Sequence, residues 1–298
     1  MNAISILRPA LGFVVAAGLS AAASAASLTL DAISSTGGAA EPNHQILSLP
    51  NYDGSAKTLS STQTTYGSTA DGWVTAAPGS FSSVAHALAV NLAAHGYTGG
   101  GSLRGGGNQE NHVTFQEQLY VGSTTLASGT PVDLSFSLGY NGSTSYLQSP
   151  DPVSGPSMWM QGIVVMYLNA QSTQSGQPSL DLSAISNNGL PAGASGNSSS
   201  GILHTSVGQT INFQQTLDLQ AGATYFDSEQ REMTADFSHT FRYFADAVTP
   251  GVTLNSETGH NYSVSAVPES SSAALMLTGL GAIGLLLRRR NARVDGRC

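Results

Sequence analysis

The chain has 298 residues, of which only 9% are charged while 40% are apolar and 34 are glycine, so its surface must be built from Ser, Thr, Asn, Gln and Gly. That composition suits β-sheets and turns rather than Lys/Glu-rich helices. Between the terminal segments four basic residues (Lys57, Arg104, Arg231, Arg242) stand against sixteen acidic ones, a net charge of −12 that argues against nucleic acid as a partner, and the single cysteine, Cys298, excludes an intrachain disulfide.

At the N-terminus Arg8 precedes an apolar run, Ala10 to Leu19, and a small-residue stretch, Ser20 to Ala26. Ala23-Ser24-Ala25 fits the A-x-A rule, which predicts a signal peptide over residues 1–25, cleavage between Ala25 and Ala26, and export through the Sec machinery and signal peptidase.

The body then alternates apolar and polar residues with period two, the pattern of half-buried strands. Val113, Phe115, Leu119 and Val121 share a face around Glu117, and Val132, Leu134, Phe136 and Leu138 share another. Ile211, Phe213, Leu217 and Leu219 do the same around Gln215, as do Ala235, Phe237, His239, Phe241, Tyr243 and Ala245. Ile163 to Leu168 is a continuous apolar run, which predicts a central strand covered on both sides. Val84, His86, Leu88, Val90 and Leu92 alternate too, although the intervening alanines favour a helix; the β neighbours tip this stretch toward a strand. Turn signals stand at Ser128 to Pro131, Asn141-Gly142, Asn188-Gly189, Thr249-Pro250-Gly251 and Thr258-Gly259. The Ser/Asn/Gly-rich stretch from Gln171 to Gly201 reads as a long surface excursion with one apolar island, Leu180 to Ile185. These features predict an all-β fold, an antiparallel β-sandwich of jelly-roll-like form over residues 26–266.

The C-terminus carries Val267-Pro268-Glu269-Ser270, a glycine-rich apolar segment predicting a single transmembrane helix over about 271–287, and then Arg288-Arg289-Arg290. Its apolar part, 15 residues from Ala273 to Leu287, is short for a bilayer core, which takes about 20 in a helix. The arginines place the short tail, residues 291–298, on the cytoplasmic side. Val267-Pro268-Glu269, the helix and the arginine cluster over 267–290 together resemble the PEP-CTERM sorting signal of Gram-negative bacteria, with Ser270 where a second proline usually stands. The segment from Ala235 to Tyr262 is also similar to the last strands of many such proteins, which close a β-sandwich. The resemblance implies an exosortase as partner, processing near Pro268 and Glu269. It also implies a non-enzymatic cell-surface or extracellular-matrix (biofilm) protein, associated with exopolysaccharide and held in the membrane as a precursor.

Chemistry is sparse in the body. Asp227, Glu229, Glu232 and Asp236 form the densest acidic cluster, and Asp227, Glu229 and Asp236 are the candidate oxygen ligands for Ca²⁺, though no EF-hand loop is present. No HExxH, H-x-H or G-x-S-x-G motif occurs, so no catalytic or cofactor-binding residue is assigned. The alternative to a non-enzymatic protein is a secreted carbohydrate-active hydrolase using a carboxylate pair, Glu110 with Glu117 or Asp227 with Glu232. Trp73, in a predicted turn, and Tyr52, Tyr97, Tyr140 and Tyr146, in or near loops, are the aromatic residues placed to stack on sugar rings, whereas Trp159 reads as core.

Overall fold

The computed structural model describes residues 25–37, 39, 41–90, 106–148, 160–173, 179–188, 193–224 and 230–263. Among the described residues thirteen strands run in chain order: β1 (Ser27–Thr36), β2 (Asn43–Leu49), β3 (Lys57–Thr65), β4 (Ser68–Ala77), β5 (Ser80–Ala89), β6 (Gly106–Ser123), β7 (Pro131–Gln148), β8 (Met160–Ser172), β9 (Ser179–Asn188), β10 (Gly193–Ser206), β11 (Thr210–Thr224), β12 (Arg231–Ala247) and β13 (Val252–Ser256). Every pairing is antiparallel. One sheet has the order β2-β1-β6-β11-β8-β9, with β13 also on β6; the other has the order β10-β7-β12-β5-β4-β3. The fold is therefore the expected all-β sandwich.

The core lies between the sheets because alternate residues of each strand turn inward. Leu28, Leu30, Val113, Phe115, Leu119, Phe213, Leu217, Phe136, Phe237 and Phe241 are all buried within one hydrophobic cluster. Aromatic contacts cross-link it, with Phe136 5.6 Å from Phe213 and Phe237 stacked 5.4 Å from Phe241. At one side of the sandwich, side-chain bonds join the strands. Asn43 Nδ2 donates to the Thr62 carbonyl (2.8 Å), and the Thr36 N–H donates to Gln63 Oε1 (2.9 Å).

Several local expectations change. The stretch from Ser80 to Ala89 is a strand, yet its inward face is Phe81, Ser83, Ala85, Ala87 and Ala89, while Val84, His86 and Leu88 face out. Small inward residues are what allow polar side chains of β6 to fit beneath this strand. The Ile163 to Leu168 run is not central: β8 lies next to the edge strand β9, and Tyr167 is 46% exposed. Asn141-Gly142 is no turn but the middle of β7. A Cβ at Gly142 would collide with the Phe237 ring, so the glycine is there for close packing rather than for bending. The predicted excursion from Gln171 to Gly201 carries β9 and most of β10, the apolar island supplying β9. The Thr249-Pro250-Gly251 turn is present, with Gly251 at φ +78°.

After β13 the chain crosses the open end of the core. Tyr262 is buried at 3% exposure, its ring 5.1 Å from Phe213, and its carbonyl accepts from the Ala245 N–H (3.1 Å). Residues 1–24 and 264–298 lie outside the described residues, and with them the predicted signal peptide up to Ser24, Pro268, Glu269, the predicted 271–287 helix and Arg288 to Arg290. Among the described residues no helix is long and apolar enough to cross a membrane.

Candidate functional site

Outward-facing positions on the seven-stranded sheet are amides at one end. On β6 these are Gln116 and Gln118, on β11 Asn212 and Gln214, and on β8 Asn169 and Gln171. The register sets Ser27 opposite Gln116, Gln116 opposite Gln214, and Gln214 opposite Asn169. Four strands thus carry one polar row with steps of about 4.8 Å between strands. A second row, Gln118, Asn212 and Gln171, runs alongside. The rows line a groove of about 300 Å³ that opens where β1 begins and β13 ends beside β6.

Several of these amides are unspent. Among the described residues the side chains of Gln116, Gln171 and Gln214 make no hydrogen bond, while Gln118 Nε2 reaches Asn212 Oδ1 at 3.4 Å. Asn169 Nδ2 donates to Asp181 on β9. Two exposed tyrosines bracket the rows at opposite corners. Tyr120 (38% exposed) lies two residues beyond Gln118 on β6, its hydroxyl 3.3 Å from Gln118 Oε1; Tyr167 (46% exposed) lies two residues before Asn169 on β8. Each amide offers a donor and an acceptor, which is what a sugar hydroxyl requires, and each ring offers an apolar face.

Glu117 is the one acidic residue bordering the groove, and its side chain points the other way. Its Oε2 accepts from Thr258 Oγ1 (2.9 Å) and the Thr258 N–H (3.3 Å), and its Oε1 is buried without a partner. Burial raises its pKa despite hydrogen bonds from Tyr262 and Thr258 that act to lower it. Tyr52 is pushed up to about 12, chiefly by burial and then by Asp53 and Glu117. Asp53, fully exposed, is held at about 2 by hydrogen bonds from Ser55 and Lys57.

The carboxylate pairs fare differently from their expectation. Glu110 faces outward and Glu117 inward, because seven intervening steps along β6 reverse the side, so this pair cannot flank one glycosidic bond. Asp227 and Glu229 lie outside the described residues. Glu232 sits 3.1 Å from His86, and Asp236 is exposed and accepts from the Ser238 N–H (3.0 Å). Among the described residues no group of three His, Cys, Asp or Glu side chains is placed to hold a metal ion. Trp73 lies within β4 rather than in a turn; Tyr52 and Tyr140 are buried, and Tyr97 and Trp159 fall outside the described residues.

With so few lysines and arginines, histidines are the side chains that meet many of the acids on the outer faces. His44 meets Asp31 (2.8 Å), His204 meets Asp133 (2.7 Å), and His86 lies between Asp71 (2.7 Å) and Glu232 (3.1 Å). His112 sits between Asp218 (2.6 Å) and Glu110 (3.5 Å), and the Asp218 hydrogen bond above all raises its pKa from 6.5, against the opposing effect of burial. A raised folded pKa contributes stability that is fully present below 6.5 and is lost as pH rises through the folded value. His260, lowered by burial, acts in the opposite sense. The expected result is therefore a double difference. In urea titrations the stability gap between the native chain and His112→Gln is larger at pH 6 than at pH 9; an equal gap at both would show that the Asp218 contact does not bind a proton.

No family model matches the chain, and no curated protein matches it. Among solved structures one is described as the structural basis for the promiscuous specificity of carbohydrate-binding modules of the β-sandwich superfamily. It is similar to this chain at 9% identity and a TM-score of 0.15, over 72% of this chain and 84% of that one, and at that score nothing is carried over from it.

Proposed function

We propose that this chain is an exported surface or extracellular-matrix protein that binds polysaccharide through the amide groove of its seven-stranded sheet. The observation that carries the reading is the unspent amides of the two rows, Gln116 and Gln214 in one and Gln171 in the other, between the exposed rings of Tyr120 and Tyr167. Free amides and aromatic faces hold sugars without breaking them, and the groove presents no carboxylate pair for hydrolysis. The signal peptide and the PEP-CTERM-like tail support delivery outside the cytoplasm. In this reading the 271–287 helix holds the precursor in the inner membrane, and an exosortase acts near Pro268 and Glu269.

One preparation tests both halves. Protein recovered from the cell surface is weighed intact and run through native gels containing neutral polysaccharides. The expected mass lacks Arg288 to Arg290, and the expected mobility falls with polysaccharide concentration. Gln116→Ala with Gln214→Ala is expected to weaken retardation about tenfold, the loss of one or two good hydrogen bonds. Unchanged retardation in that double variant would remove the groove as the binding surface, and a full-length mass would remove the processing.

A further inference from the structure

A second concavity lies away from the amide groove, and its charge runs against that of the whole chain. Beyond Arg242, the strand β12 has outrun its partner β5, and the C-terminal segment takes over that edge. Tyr243 N–H donates to the Gly79 carbonyl (2.9 Å) and Ala245 N–H to the Tyr262 carbonyl (3.1 Å). The seam encloses about 260 Å³ between the Pro78-Gly79 turn, β12 and residues 260–263. None of its lining residues is acidic, in a body of sixteen acids and four bases.

Arg242 is exposed on the lip of this pocket, and its guanidinium makes neither an ion pair nor a hydrogen bond among the described residues. The other body cations differ: Lys57 is 3.3 Å from Asp53, Arg231 is buried, and Arg104 lies outside the described residues. Two further donors converge on the pocket. The His260 ring has no hydrogen-bond partner among the described residues and is held edge-on to Tyr262 at 4.5 Å. Asn261 spends its Oδ1 on the Ser263 N–H (3.0 Å) and hydroxyl (2.6 Å), leaving its Nδ2 free. Phe244, two residues along the same face of β12 from Arg242, supplies an apolar wall. The nearest acid on that face, Asp246, accepts from its neighbour's N–H, Ala247 (2.8 Å), and lines the adjoining concavity.

We infer that this pocket is an anion subsite that takes the carboxylate of an acidic sugar, with Arg242 as the charged partner, His260 and Asn261 as neutral donors and Phe244 against the ring. A guanidinium presents a planar fork that matches a carboxylate, and a bond to a charged group is about twice as strong as a neutral one. The surrounding −12 body repels polyanions at a distance, so the selectivity arises at contact, and salt screens both that repulsion and the exposed Arg242 pair. This inference rests on the polysaccharide-binding reading and names its ligand as a uronate-containing polymer.

The test uses the full chain in native gels containing polygalacturonate or its methyl ester, which share a backbone and differ in charge. Retardation is expected to be about tenfold stronger with the free acid, the worth of one charge-assisted bond. Arg242→Gln is expected to abolish that difference and Arg242→Lys to keep part of it, with circular dichroism unchanged because the residue is exposed. Equal retardation by both polymers, or a preference that survives Arg242→Gln, would overturn the anion subsite while leaving the amide groove intact. Preference for the acid in Gln116→Ala with Gln214→Ala would support the subsite, and retardation by both polymers at full strength in that variant would count against the groove. Retardation by neither polymer would remove both.

Discussion

Replacing Tyr262 with alanine is expected to lower the melting temperature of the full chain by roughly 10 °C, the equivalent of about 4 kcal/mol for deleting a buried aromatic side chain. The residue stands outside every strand, yet it closes the core. Its ring packs edge-on to Phe213 at 5.1 Å, and its hydroxyl accepts from Gln215 Nε2 (3.1 Å). Gln215 Oε1 accepts in turn from the Gly79 N–H (3.2 Å), so one buried amide ties the C-terminal segment to the β4–β5 turn. Burial keeps the Tyr262 hydroxyl protonated, with the Glu117 carboxyl beside it adding to the effect. Tyr262→Phe keeps the ring and strands Gln215 Nε2, which costs about 1–2 kcal/mol. Thermal melts of the three proteins check the order native, Phe, Ala. A Tyr262→Ala chain melting within 2 °C of the native one, roughly 1 kcal/mol, would show that the segment is not part of the core. For the proposed sorting the consequence is geometric. Residues 264–267 alone separate the docked segment from Pro268, a reach of roughly 14 Å fully extended. Processing near Pro268 would therefore take place close against the folded domain.

Period-two alternation made most of the strands legible, because a strand with one buried face must repeat every second residue. The inward faces of β6, β7, β11 and β12 follow it, including the polar positions Glu117 and Gln215. Where the sequence misled, small residues were at fault. The apolar face of β5, Val84 and Leu88, points outward because its alanines and Ser83 face the polar side chains of β6. Asn141-Gly142 has the composition of a hairpin turn, but the Phe237 ring fills the space that a Cβ would take. Parity alone separates Glu110 from Glu117, since they lie an odd number of residues apart on one strand. The amide groove was harder to see. Its residues are ordinary outward Gln and Asn positions on β6, β11 and β8, whose register depends on pairings between segments far apart in sequence. Tyr120 and Tyr167 sit within strands, whereas Tyr52 and Tyr140, in or near predicted loops, are absorbed by the core.

Asn111 carries the second large effect: Asn111→Ala is expected to cost about 3 kcal/mol, and Asn111→Asp more. The side chain is fully buried on the inward face of β6. Its Nδ2 donates to Ser83 Oγ (2.8 Å), the Val84 carbonyl (2.8 Å) and, more weakly, the Trp73 carbonyl (3.1 Å). Its Oδ1 accepts from Gln109 Nε2 (2.7 Å), and Gln109 continues the chain to Ser61 and Ser34. One amide thus connects β4 and β5 in one sheet to β6 and β1 in the other, and the alanines of β5 leave it room. Alanine leaves a cavity and deprives the Gln109 amide of its shortest acceptor, and buried polar groups without partners cost about 1–3 kcal/mol each. Aspartate keeps the shape but turns an oxygen toward two carbonyls and one hydroxyl, where only a donor is satisfied. A buried carboxylate there has no cation to meet, so the strand pair opens or the group takes up a proton. Urea unfolding at neutral pH separates the three chains in the order native, Ala, Asp. Part of the aspartate deficit is expected to return on acidification, when the protonated carboxyl can donate. If Asn111→Asp were as stable as the native chain at neutral pH, the network would not be a structural tie between the sheets.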